Sequence, residues 1–156
     1  MADAAQPPTS ERAAAALFAV VGLVGAAVVT LGVWRDPSSG LLGDWMHPDM
    51  LSNHWVYAWV ADQLRSGGTL LHNDRYYHPI GDAPFLAGNA SGALLAAPFL
   101  WALGHPLGLN VYVLGVLAAN VVAGAALARV LGARPLPAAV GGTAFGLCPY
   151  LLTELS

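Results

Sequence analysis

The chain has 156 residues, of which 56% are hydrophobic and only 10% charged, with a formal net charge of −3. Soluble domains carry about 25% charged residues, so this composition excludes an ordinary water-soluble core. All six basic residues are Arg and they are scattered, which excludes the basic patch of a nucleic-acid-binding surface, and the single Cys148 excludes an intrachain disulfide.

Residues 1–12, with Pro7-Pro8 and small polar side chains, read as a disordered tail. Residues 13–34 contain no Asp, Glu, Lys or Arg, and their 22 positions meet the roughly 20 needed to cross about 30 Å of hydrocarbon as a helix. The run exceeds the ~7–15 apolar residues of a signal peptide, and Val29 to Trp34 offers no small-residue cleavage site, so a retained first transmembrane helix is predicted.

Residues 35–84 then form a long polar loop. Asp36-Pro37-Ser38-Ser39-Gly40 opens it with breakers. A helix over 48–66 is predicted from Pro48, suited to a first turn, and Asp49, favourable near a helix amino terminus, with Gly67-Gly68 as the stop. Leu51, Trp55, Val56, Trp59, Val60 and Leu64 recur at the spacing of one helical face. Trp55 and Trp59 suit the headgroup level of a bilayer, which makes this an interfacial amphipathic helix; packing against other protein segments is the alternative. Asn73-Asp74-Arg75 and His78-Pro79-Ile80-Gly81 read as turns around Tyr76-Tyr77.

Three more apolar runs follow, at 85–103, 106–128 and 135–153. In lipid a backbone must satisfy its own polar groups, so each is predicted as a helix. Pro98 interrupts the first of them. Asn110, Asn120, Gly115, Ala118, Ala119, Ala123 and Gly124 suit close, hydrogen-bonded helix packing in the second, and the third contains Gly141-Gly142 and Gly146. The predicted fold class is therefore all-α integral membrane, with about four transmembrane helices and a long first loop carrying the interfacial helix. The chain ends at 156 with no polar tail, which reads as a truncation, its missing carboxy-terminal helices or a partner membrane protein completing the bundle.

Most of the acid and imidazole chemistry lies between the first two apolar runs. The order of Gly43-Asp44-Trp45, Asn53-His54-Trp55, Tyr76-Tyr77-His78-Pro79-Ile80-Gly81, Ala87-Gly88-Asn89, Leu94 through Pro98, Leu109-Asn110, and Pro149-Tyr150 through Glu154-Leu155 resembles the amino-terminal part of bacterial polytopic proteins of the GT-C glycosyltransferase superfamily. The resemblance covers residues 41–156. It implies a bacterial cytoplasmic-membrane enzyme with a cytoplasmic amino terminus and an extracytoplasmic first loop bearing an acidic catalytic residue. It also implies a sugar donor on a polyprenyl-phosphate carrier.

By that resemblance Asp44 is the expected catalytic residue, a general base that takes the proton of an acceptor hydroxyl attacking the anomeric carbon. A turn-capping role for Asp44 is the competing reading, because Gly-Asp is a common turn pair. Asp49, His54, Arg75, Tyr77 and His78 make up the expected substrate-binding set. Asp49 is also explained by its helix start, Tyr77 as an interface anchor, and Arg75 by a lipid phosphate or by an ion pair with Asp74. His47, His54, His72, Asp74 and His78 suit a divalent ion by ligand type, yet their spacing matches no closed zinc pattern, so no metal or other cofactor is expected. A noncatalytic membrane scaffold or transporter subunit is the alternative function.

One indicator runs against the implied orientation. With four spans and a cytoplasmic amino terminus, the turn bordered by Arg129 and Arg134 faces outside, and the 104–109 link, which has no Arg, faces inside. Short-loop Arg counts favour the reverse.

Overall fold

Alternating runs of good helix formers and Gly/Pro breakers give a mostly helical molecule. The computed structural model describes residues 8–42, 48–73, 83–84 and 89–149. Among these residues there are five α-helices: α1 (Pro8–Val29), α2 (Pro48–Ser66), α3 (Ala90–Leu103), α4 (Leu107–Val130) and α5 (Pro135–Gly146). A short 3-10 helix at Val33–Arg35 follows α1, and β1 (His72–Asn73) pairs antiparallel with β2 (Ala83–Pro84), His72 opposite Pro84 and Asn73 opposite Ala83. This ladder is an addition to the all-helical expectation.

Among the described residues two helices are long and apolar enough to cross a membrane, the Glu11–Val29 part of α1 with 19 residues and α4 with 24. Of the other predicted spans, α3 has 14 residues and α5 has 12. Helix α1 starts at Pro8, inside the stretch read as a disordered tail, where a proline suits the first helical turn; residues 1–7 lie outside the described residues.

The chain divides into two compact units, one of residues 1–35 and 113–156, the other of residues 36–112. In the first, α1 and the 113–130 part of α4 run antiparallel: Glu11 pairs with Arg129, and Gly22 sits against the Ala118 backbone. A Cβ at Gly22 would come within 2.8 Å of the Ala118 carbonyl oxygen, so only glycine permits this approach. Helix α5 also packs antiparallel to α4, with Gly142 against Val121 and Ala125 and Gly146 against Val121. Ala14, Phe18, Ala125, Ala138 and Ala139 form the buried cluster joining the three helices. Outside it, Val20, Leu23, Val24 and Val28 of α1 and Leu127 of α4 remain exposed. So much open hydrocarbon on one pair of helices is foreign to a water-facing surface.

In the second unit α2 packs along α3. Gly67 ends α2 with φ +71°, and the Gly68 amide returns to the Gln63 carbonyl at 2.8 Å, the hydrogen bond of a left-handed glycine cap. The inward face of α2 is His54, Tyr57, Val60 and Ala61, with Ala93, Ala96, Ala97 and Leu100 buried on α3. Of the apolar stripe read from the sequence, Trp59 and Val60 are buried, whereas Leu51, Trp55 and Leu64 are exposed. The packed face is rotated from that stripe because the alanines of α3 admit large side chains such as Tyr57. Trp101 donates its indole N–H to the Ala61 carbonyl at 3.0 Å and fixes the two helices in register.

Candidate functional site

The described part of the polar loop is organised by two side chains from two different helices. Asp36 and Pro37 stop the chain from continuing the 3-10 helix, and the Gly40 amide donates to the Asp36 carbonyl at 2.7 Å, closing a tight turn that Ser39 reinforces by donating to the Asp36 carboxylate. Asn110, near the start of α4, is fully buried against this turn. Its amide nitrogen donates to the Gly40 carbonyl at 2.8 Å and the Pro37 carbonyl at 3.2 Å, and its oxygen accepts the Leu42 N–H at 3.2 Å. The partners define which end of the amide is which, since two carbonyls require a donor and an N–H requires an acceptor.

Leu42 is held at its other polar group as well. The His54 Nε2 lies 2.8 Å from the Leu42 carbonyl oxygen. A carbonyl only accepts, so Nε2 carries the proton, and in the neutral ring Nδ1 is left as a lone pair. That Nδ1 is buried and has no hydrogen-bond partner among the described residues. His54 is 4% exposed, and the ring of His105, on the α3–α4 link, meets it edge-on at 5.7 Å between centroids. Burial pushes the pKa of His54 below its ordinary value, outweighing the opposing pull of the Leu42 hydrogen bond. His105 moves the same way, through burial first and the neighbouring His54 second. Two imidazoles in contact thus both favour the neutral form.

Aromatic packing backs this arrangement. Tyr57 meets Tyr112 at 6.1 Å in a T-shaped pair, Phe99 lies 5.8 Å from Tyr112, and Trp55 stacks on Trp59 at 6.4 Å. The Tyr57 hydroxyl occupies the space where a Cβ on residue 92 would stand, which requires Gly92 at this point of α3. Asn89 donates across to Asn53 at 3.4 Å, tying the start of α3 to α2.

Of the residues expected from the sequence to form the site, Asp44, Arg75, Tyr77 and His78 lie outside the described residues, and Asp49 is described only as part of the backbone of α2. His54 is described, and its imidazole faces inward to the Leu42 backbone. Among the described residues no three His, Cys, Asp or Glu side chains gather as a metal site requires; His72 is exposed on β1. Sequence reasoning placed Asn110 in a helix–helix contact, and the structure turns it to the 37–42 backbone instead. The available signal was a polar amide opening an otherwise apolar helix. His105 carried no signal beyond its residue type. No protein-family model, no curated protein and no solved structure matches this chain.

Proposed function

We propose that the chain is an integral protein of a bacterial cytoplasmic membrane that acts as a GT-C-type glycosyltransferase, moving a sugar from a polyprenyl-phosphate carrier to an acceptor hydroxyl. In this reading α1 and α4 cross the bilayer and residues 36–106 lie on the extracytoplasmic side. Antiparallel helices must be separated by an even number of crossings, so a single crossing by α3 does not fit the opposed directions of α1 and α4. The 14 residues of α3 also reach only about 21 Å, short of the ~30 Å of hydrocarbon. In this reading the chain crosses by α1 and α4, with α2 and α3 on one side.

This topology removes the conflict over orientation. Arg12, Arg129 and Arg134 share an end of the α1–α4 pair, next to the Glu11–Arg129 contact. The intervening segment is longer than the ~60 residues over which Arg counts orient a loop. Both considerations support a cytoplasmic amino terminus. Leu51, Trp55, Leu64 and Trp101, all exposed, supply the apolar and indole surface that suits the headgroup layer.

The observation that carries the reading is the separate compact unit of residues 36–112, which lies in sequence between α1 and the 113–130 part of α4 and whose Leu42 backbone is hydrogen-bonded by Asn110 and His54. Asp44 follows two residues later. Its carboxylate takes the proton from the acceptor hydroxyl, the hydroxyl oxygen bonds to the anomeric carbon, and the polyprenyl phosphate leaves with the electron pair of the broken C–O bond. Arg75, Tyr77, His78 and Asp49 complete the proposed substrate surroundings, with no metal required, while His54, expected among them, is buried against the Leu42 backbone.

The test is transfer from radiolabelled polyprenyl-phosphate mannose and glucose in membranes containing the protein. Asp44→Asn abolishes transfer while insertion and abundance stay at wild-type levels; full turnover by Asp44→Asn would remove Asp44 from the mechanism. A noncatalytic scaffold is the second reading, favoured by the close α4–α5 contact through Gly142 and Gly146. It predicts that neither donor is consumed by the wild-type protein.

A further inference from the structure

We infer that the outward face of α3 seats the 36–112 unit in the acyl chains of the leaflet where α4 begins, with α2 on the water side of α3. This rests on the membrane reading of α1 and α4 and makes no use of the sugar chemistry. One side of α3, at Ala93, Ala96, Ala97 and Leu100, is buried against the rest of the unit. The opposite side stays open along a continuous helical stripe of Leu94, Leu95, Phe99 and Leu103, with Trp101 at its edge. A helix in water carries polar residues on its outer face, whereas one that is apolar all round belongs in a core or in lipid. The exposed residues of α2, by contrast, include Ser52, Asp62, Arg65 and Ser66. Trp101 spends its one polar hydrogen inside the unit, on the Ala61 carbonyl, so its indole needs no partner outside.

The place of α3 beside α4 names lipid as what covers this face. Only Gly104, His105 and Pro106 separate the two helices. Within the unit, a Cβ on Gly108 would come 2.4 Å from the Phe99 carbonyl oxygen, and the Phe99 ring lies 5.8 Å from that of Tyr112. The 24 residues of α4 reach about 36 Å, about 6 Å more than the hydrocarbon thickness. If all of that excess lay at this end it would take up about four residues, and Tyr112 would already stand in hydrocarbon. Phe99, in contact with it, shares that depth. The link also suits a dry setting, because the Gly104 amide donates to the Leu100 carbonyl at 2.9 Å and the Gly108 amide to the Gly104 carbonyl at 2.7 Å. A face that docks another protein is rimmed by polar side chains. From Gly92 to Leu103 this helix has no charged, amide or hydroxyl side chain, and acyl chains ask only for an apolar surface.

The experiment uses the full chain, with Cys148→Ser removing the one native thiol, reconstituted into vesicles of phosphatidylcholine and phosphatidylglycerol. Leu95→Cys on α3, Arg65→Cys on α2 and Val24→Cys on α1, all at exposed positions, each carry a nitroxide in a separate protein. Power saturation compares collision with oxygen, which concentrates in acyl chains, and with a nickel chelate, which stays in water. The oxygen-to-chelate ratio at position 95 is expected to match that at position 24, and the ratio at position 65 to be shifted toward the chelate. Leu103→Cys, on the same stripe, repeats the measurement in case a label at position 95 disturbs the helix. A chelate-favouring label on both α3 positions, beside an oxygen-favouring one at position 24, overturns the seat and leaves the crossing by α1 intact. Labels on α3 screened from both reagents overturn it in favour of a protein cover, and an oxygen-favouring label at position 65 overturns the placement of α2. A chelate-favouring label at position 24 removes the membrane reading itself, and the seat with it.

Discussion

His54 joins a buried position to a titratable group, and this gives the 36–112 unit a defined response to acid. Its folded-state pKa lies below the ordinary value of 6.5, as does that of His105. The unfolded chain therefore binds protons first as pH falls. Stability from these rings is complete above about pH 6.5 and is lost as pH drops through that value toward the lower folded-state pKa. The urea midpoint followed by tryptophan fluorescence is expected to fall between about pH 7.5 and 5.5, and His54→Gln to flatten the slope. An unchanged slope in His54→Gln would show that other groups govern the acid response. Two further side chains separate a buried hydrogen bond from an exposed ion pair. Thr30, 3% exposed, donates to the Ala26 carbonyl and accepts the Trp34 indole N–H, so Thr30→Val strands that N–H and costs about 1–2 kcal/mol. Glu11 is 56% exposed, and Glu11→Gln is expected to cost under about 1 kcal/mol despite its contact with Arg129. Thermal unfolding in detergent ranks the two, and equal losses would contradict the assignment.

At the scale of elements, glycine decides which helices touch. Gly142 and Gly146 lie one helical turn apart and both face α4, where a Cβ on Gly142 would approach the Val121 carbonyl oxygen to 2.5 Å. Gly142→Val forces α4 and α5 apart and is expected to cost about 1–3 kcal/mol. Gly141, adjacent in sequence, has open space at its Cβ, so Gly141→Ala is expected to be neutral or to gain up to about 1 kcal/mol from helix propensity. Detergent unfolding curves test the contrast, and equal effects would mean that α5 does not seat on α4 through this face. The ends of α2 were legible in Pro48 and Gly67-Gly68, because start and stop signals act within a turn of the helix. Its buried face was not, because periodicity records which residues are apolar and not which neighbour receives them. The small residues of α3 draw in Tyr57 and His54, leaving Leu51 and Trp55 outside.

For the whole molecule, the antiparallel α1–α4 pair yields a sidedness prediction. Thr69→Cys and Leu131→Cys, each in a Cys148→Ser background, place thiols at exposed positions at opposite ends of the proposed topology. In intact cells a membrane-impermeant maleimide is expected to label Thr69→Cys and to spare Leu131→Cys until the membrane is opened. Labelling of both in intact cells would return the 131–134 turn to the outside and with it the four-span arrangement.

The sequence by itself determined that most of this chain is helical and strongly apolar, and where α2 starts and ends; it offered four runs of spanning length, whereas two helices among the described residues are long and apolar enough to cross a bilayer. These properties are local: they depend on composition, on residue spacing within a few turns, and on Gly and Pro acting at their own positions. Only the tertiary structure decided that α1 and α4 run in opposite directions, that Asn110 turns to a loop 68 residues earlier, and that His54 holds the Leu42 carbonyl. Such pairings depend on which surfaces fit once the helices collapse together, and no periodicity in a single chain encodes the partner.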